Sequence, residues 1–282
     1  FQARGPANLL HTRTIVDPRY GAKVTGKVGN TTIGMLYAND EAPGKVDDIS
    51  DATFGQTAQF LVGRARYDLY AESYVGAIVT DREFIDAYSR VGGVDANFRL
   101  GRTQSVSMSY FQSQHRDSEG VERSGPGWSF NYGNRGRNLT YSFSTDGLDP
   151  DFRTDTGFVR RVDTRQARAS VSYRWYPENW ILNWGPRASY DRNYDFEGIL
   201  QDEGTNLGLN ASFAKNITIS VSANRDMERF AGINFQKRRY SAGGGINTNR
   251  RIGFGGFLNW GDQIRFSETP FLGDGSSANI FL

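Results

Sequence analysis

QARASVSYRW, residues 166–175, sorts its side chains by parity. Ala167, Ala169, Val171, Tyr173 and Trp175 fall on one side, and Arg168, Ser170, Ser172 and Arg174 on the other. A period of two belongs to an extended strand whose two faces meet different surroundings. One face is apolar and ends in aromatic rings; the other carries guanidinium and hydroxyl groups.

The pattern recurs. In AKVTGKV (22–28), Ala22, Val24, Gly26 and Val28 oppose Lys23, Thr25 and Lys27. In VDANFRL (94–100), Val94, Ala96, Phe98 and Leu100 oppose Asp95, Asn97 and Arg99. In VSMSY (106–110), Val106, Met108 and Tyr110 oppose two serines. ITISVSAN (217–224) sets Ile217, Ile219, Val221 and Ala223 against Thr218, Ser220, Ser222 and Asn224. No stretch has helical spacing.

Fourteen strands are expected near 20–28, 31–38, 58–70, 73–80, 91–100, 103–113, 127–133, 138–146, 164–176, 181–190, 205–213, 217–225, 238–248 and 251–260. The links between them alternate in length. Short ones fall at Gly29–Asn30, Ala71–Glu72, Gly101–Arg102, Asn134–Arg137, Pro177–Trp180, Ala214–Asn216 and Asn249–Arg250. Long ones fall at 39–57, 81–90, 114–126, 147–163, 191–204 and 226–237. Greek-key sandwiches do not alternate in this way. An up-and-down antiparallel transmembrane β-barrel of the outer membrane does, with short periplasmic turns and long outer loops. NLLHTRTIV (8–16) and QIRFSET (263–269) are expected to add two strands and bring the count to sixteen. On this reading the apolar faces meet lipid and the arginine and serine faces enclose water. With no other backbone partners in hydrocarbon, the sheet must close.

The totals agree. Among 282 residues, 38% are hydrophobic and 23% charged, which excludes a disordered chain. No run approaches eighteen apolar residues, so a membrane helix is excluded but a membrane barrel is not. The 33 glycines and 13% aromatics suit strands. Cysteine is absent, which excludes disulfides and thiolate metal sites. A net charge of +2 gives no nucleic-acid signal. Of 33 basic residues only five are lysine, and arginine suits ion pairs in a polar cavity. Residue 1 is Phe with no leader after it, so a processed chain or an excerpt of a longer one is expected, as a single barrel domain over 1–282.

Tyr37, Tyr67, Tyr110, Trp128, Tyr132, Tyr173, Trp175, Trp184 and Trp260 lie near expected strand ends, as an interfacial girdle would require. Pro186 falls inside an expected strand, where it deletes a ladder bond. It marks a bulge, an edge or a misplaced strand.

Five collinear segments resemble the bacterial family known as domain of unknown function 5916: LLHTRTI (9–15), GAKVTGKVGNTTIGMLYA (21–38), FLVGRARYDLYAESYVGAIVTDR (60–82), GGVDANFRL (92–100) and DPDFRTDTGFVRR (149–161). The resemblance covers the first 175 residues. It implies a region like an outer-membrane barrel, preceded in that family by a carbohydrate-binding-like module of family nine type. That module is absent from this chain, and the family's barrel region runs longer. The family supplies no known reaction.

Candidate chemistry is sparse. The two histidines are His11 and His115, and His115 is expected in an outer loop beside Arg116 and Asp117. Nothing places a nucleophile and an orienting partner near it, so no enzymatic role is expected. DGLDPDFRTD (146–155) gathers Asp146, Asp149, Asp151 and Asp155, and NDEAPGKVDDISD (39–51) is a second acidic loop. Asp146, Asp149 and Asp151 are weak calcium candidates, since aspartate favours turns on its own account. SAGGGIN (241–247) and GFGGF (253–257) lack the helix and lysine of a phosphate loop.

The candidate lumen face comprises Arg64, Arg66, Asp68, Asp95, Arg99, Arg168, Arg174, Arg187 and Asp191. These residues form either a constriction that selects solutes by charge or a network of ion pairs that fills the interior. The leading expectation is passage or uptake of small polar solutes, with saccharides added only by analogy with the absent module. The alternative is a barrel that anchors a surface module or partner. No cofactor is expected. The expected partners are membrane lipid, lipopolysaccharide and other outer-membrane proteins, with no nucleic acid.

Overall fold

The computed structural model describes residues 3–249 and 252–282. They form one all-β sheet in which each strand lies beside its predecessor, an order and count that fit an up-and-down barrel. The strands are β1 (Pro18–Val28), β2 (Thr31–Asp40), β3 (Ala58–Asp68), β4 (Tyr74–Phe84), β5 (Ala87–Leu100), β6 (Gln104–Arg116), β7 (Glu122–Arg135) and β8 (Leu139–Leu148). After them come β9 (Thr164–Tyr173), β10 (Ile181–Tyr194), β11 (Leu200–Phe213), β12 (Ile217–Phe230), β13 (Ile233–Asn249), β14 (Ile252–Arg265) and β15 (Phe271–Phe281). The fourteen strands expected from alternation are the first fourteen of these.

Both expected additions need correction. Residues 8–16 are not a strand but an irregular segment with a 3₁₀ turn at Thr12–Thr14. Residues 263–269 are the end of β14 and the link after it, and the fifteenth strand follows at Phe271–Phe281. Four of the expected long links are also short. They are Ile85–Asp86, Asp117–Val121, Asp195–Ile199 and Ala231–Gly232, because charged residues once assigned to loops continue the strands. Ala231 and Gly232 both have positive φ, 49° and 79°, as a two-residue hairpin turn requires. The links 41–57 and 149–163 stay long. The link at Asn249–Arg250 lies partly outside the described residues.

Asp117 organises its link. Its Oδ1 accepts the Val121 amide at 2.9 Å and the Glu119 amide at 3.1 Å, and its Oδ2 accepts Arg123 Nη1 at 3.1 Å. The Val121 amide foremost, with Glu119 and Arg123, holds this carboxyl below the usual carboxylate range. A depressed carboxyl stabilises the fold above its unfolded pKa of about 3.9, and that contribution is lost as pH falls through the lower folded value. The protection of the Glu119 and Val121 amides against exchange, relative to their intrinsic rates at each pH, should therefore be high at neutral pH and fall below about pH 4. Asp117→Asn should abolish most of that pH dependence.

The chain divides into two compact units, 1–132 with 145–165 and 133–144 with 166–282. In the first, one face of the sheet is covered. The segment from Ala3 to Val16 pairs with the β8–β9 link: Asn8 and Phe158 exchange backbone bonds of 3.3 and 2.7 Å, and the His11 amide donates to Thr156 O at 2.8 Å. Both segments pack on the sheet through Ala7, Leu9, Ile78, Val91, Phe111, Leu148 and Phe152. A second cluster joins Ala38, Ala58 and Phe60. The buried Asp40 carboxylate accepts the amides of Val16, Asp17 and Ala42, fixing the entry into β1.

In the second unit the buried side chains, such as Met227, Phe235 and Asn193, are scattered, and both faces of its strands are open over most of their length. Pro186 marks a local break. Trp184 exchanges backbone bonds of 2.9 and 3.1 Å with Trp175. Two residues on, Pro186 has no N–H to offer on that side, and the regular part of β9 has already ended at Tyr173. On the other side Pro186 stays in register opposite Leu209.

Candidate functional site

The parity read from the sequence is the parity of the structure. On β3, Phe60, Val62 and Arg64 are buried on the covered face while Leu61, Ala65 and Tyr67 are exposed on the other. Asp95, 2% exposed, is the polar centre of the first unit. Arg64 Nη1 lies 2.5 Å from its Oδ1. Tyr74 donates its hydroxyl to Oδ2 at 3.0 Å, and the Arg4 amide donates to the same oxygen at 3.3 Å. Arg4 Nη1 also reaches Asn97 Oδ1 at 3.0 Å. Arg64 and Asp95 are two strands apart, and the guanidinium crosses β4 at Gly76, where a Cβ would stand 2.6 Å from Nη2.

The other sequence-named charges of this unit are also paired. Arg66 Nε bonds Asp68 Oδ1 at 2.8 Å, and Lys27 Nζ bonds Asp68 Oδ2 at 2.6 Å. Arg99 lies 3.5 Å from Glu72 and donates to Arg102 O at 2.6 Å. In this unit these charges meet one another in ion pairs. His115 is not in a loop. It is the penultimate residue of β6, its side chain is 14% exposed, and its Nε2 lies 3.6 Å from Asp155 Oδ2. Arg82 approaches the same oxygen at 3.3 Å, and the Asp155 amide donates to Ser89 Oγ at 3.0 Å. These contacts pin the β8–β9 link to the sheet.

The acidic loops do not converge. Asp149 Oδ1 accepts the Asp151 amide at 2.9 Å, which is a turn, and Asp146 has a partner of its own. Among the described residues no group of three or more His, Asp or Glu side chains is gathered around a metal position. The glycines of 241–247 and 253–257 lie in neighbouring strands, with Gly244 opposite Gly256 and Gly245 opposite Gly255.

In the second unit the registers of β10–β15 stack the polar face into rows. The first runs Asn193, Asp202, Glu228, Phe235, and the second Asp191, Gly204, Asp226, Lys237. The third runs Ser189, Asn206, Asn224, Arg239, Gly261, Gly275. The fourth runs Arg187, Gly208, Ser222, Ser241, Asn259, Ser277, and the fifth Gly185, Asn210, Ser220, Gly243, Phe257, Asn279. Most charges fall in the first two rows, Asp202 and Glu228 in one and Asp191, Asp226 and Lys237 in the other, and the third adds Arg239. Beyond them, Arg187 is the one charge in rows four and five.

Lys237 bonds Glu228 and Arg239 bonds Asp226 diagonally between neighbouring rows, and within the third row Asn206 Nδ2 donates to Asn224 Oδ1 at 2.6 Å. Ser222 and Ser241 share a bond of 2.7 Å. Arg168, exposed on β9, and Asp191 are near enough to attract each other. Arg174 is joined to Asn138 through its backbone. Sequence reasoning missed Asp202, Asp226, Glu228, Lys237 and Arg239, which were assigned to loops or left unremarked. The signal lies in two acids at even positions before a two-residue turn and two bases at odd positions after it, which such a turn brings to one face.

The opposite face of the same strands is apolar. It shows Leu182, Trp184 and Tyr190 on β10, Leu207 and Leu209 on β11, Ile219 and Val221 on β12, Tyr240 on β13, and Phe254, Leu258 and Trp260 on β14. Rings cluster there: Trp175 stacks on Trp184 at 4.5 Å, Trp180 on Phe213 at 5.4 Å and Tyr240 on Trp260 at 5.8 Å. Arg192, Glu203, Arg225, Arg238 and Asp262 continue this parity at the end where polar-face charges also gather. No family model matches the chain, and none of the curated proteins matches it.

Proposed function

We propose that the chain is part of an outer-membrane β-barrel of the kind its first 175 residues resemble, and that the polar face of the second unit borders a water-filled passage for small polar solutes. The observation that carries this reading is the bounded apolar band on β10–β14. It runs about nine residues on β10 and on β11, the length a tilted strand needs to cross hydrocarbon. It ends at Arg192, Glu203, Arg225, Arg238 and Asp262, where a strand would leave the lipid. Antiparallel strands satisfy their own backbone groups, as hydrocarbon demands. Lipid then surrounds the band, with lipopolysaccharide beside its charged border.

The covered face of the first unit favours a second reading, a barrel that anchors a partner and conducts nothing. Conductance of the purified protein in planar bilayers separates the two. Steady ohmic steps support passage; a protein inserted and protease-protected yet electrically silent leaves the anchor.

The membrane reading has its own test in two adjacent residues. Val221→Arg places a charge within the apolar band and should cost about 2–4 kcal/mol in urea unfolding from liposomes. Ser222→Arg, on the polar face one residue away, should cost less than about 1 kcal/mol. Equal costs would reject lipid on the apolar face.

A further inference from the structure

The second unit holds a cleft of 540 Å³, lined by Asn224, Ser241, Asn259, Gln263 and Ser277 with the Lys237 and Arg239 pairs at its edge. We infer that this cleft is a binding subsite for a neutral, polyhydroxylated small solute. The assignment rests on the reading of this face as wetted.

Two observations fix the ligand class. First, the cations are already satisfied: Lys237, its side chain 12% exposed, is held by Glu228, and Arg239 by Asp226. An anion entering would have to displace a carboxylate, and a cation would find Glu228 and Asp226 already paired and Asp262, the third carboxylate of the lining, accepting the Arg238 amide at 2.7 Å. Second, the neutral groups are unspent. Asn259, Gln263 and Ser277 make no side-chain hydrogen bond to any described residue. Their amides and hydroxyl offer donors and acceptors together, the complement of vicinal hydroxyls.

The groups are also positioned. Ser241, Asn259 and Ser277 stand in one row across β13, β14 and β15. Adjacent strands lie about 4.8 Å apart, so the row presents polar groups at intervals a short polyol can span. Gln263 lies across Gly275, where a Cβ would stand 2.5 Å from its Cδ; the missing side chain lets the carboxamide rest over β15 and face the row.

Saturation-transfer NMR on the detergent-solubilised protein tests this with sorbitol, gluconate and glucosamine, three probes of similar size and different charge. Sorbitol should receive the strongest transfer. Asn259→Ala with Gln263→Ala removes two hydrogen-bonding groups and should weaken sorbitol binding roughly tenfold. Thr205→Ala, on the apolar face of the same unit, should leave it unchanged. Equal or stronger transfer to either charged probe, or full binding in the double variant, overturns the subsite. Swelling of proteoliposomes in the same solutes is read separately. Binding without swelling sinks the passage and keeps the subsite, and swelling without selective binding does the reverse.

Discussion

Asp95→Ala is expected to destabilise the first unit by about 3–5 kcal/mol, the cost of leaving a buried charge without its partner. Arg64 is 8% exposed, and Asp95 is the carboxylate its guanidinium crosses β4 to reach. The same change strips acceptors from the Tyr74 hydroxyl and the Arg4 amide. Urea unfolding in detergent micelles, followed by tryptophan fluorescence, reads the loss. The double variant Arg64→Met with Asp95→Leu replaces the pair by apolar groups and should recover most of it. A double variant as unstable as the single one would mean that the charge pair is not what holds this face.

Phe111→Ala is expected to cost about 3–5 kcal/mol by a different route, the loss of a fully buried ring and the cavity it leaves. Phe111 is 0% exposed and sits among Leu9, Ile78, Val91, Leu148 and Phe152, so it belongs at once to the sheet and to the segments laid on it. Its loss should also free the segment from Ala3 to Val16. Limited proteolysis before Asp17 should accelerate in this variant and not in Tyr110→Ala, whose ring points to the opposite, exposed face. Equal cleavage in the two would show that the segment is held elsewhere.

What could be read in advance follows from where the two faces of a strand differ. Val221 and Ser222 stand on opposite faces of β12 and differ in chemistry, so their parity is visible in the letters alone. Along β15 the contrast fades: Gly273, Gly275, Ser277 and Asn279 share one face, but Asp274, Ser276 and Ala278 dilute the other, and the strand went unread. Leu9 and Ile15 have strand-forming character, yet they bury themselves across a sheet instead of joining its ladder, a distinction only tertiary packing makes. Asp81, Glu83 and Arg90 read as a loop in the sequence because they are charged. They lie on β4 and β5 and pair with one another across the hairpin. For the site, parity placed Arg64 and Asp95 on a common face. That they touch depends on Gly76 between them, and no single strand's pattern contains that fact.

The clasp between Leu9 and Thr156 has a kinetic consequence. The Thr156 hydroxyl donates to Leu9 O at 2.9 Å across a separation of 147 residues. Neighbouring hairpins close over a few residues and can zip in order; this contact must wait until β1–β8 and the link after them exist. Contacts so remote in sequence form slowly. Refolding should therefore pass through a species with its strands paired and one greasy surface still bare, an interval in which a chaperone would find something to hold.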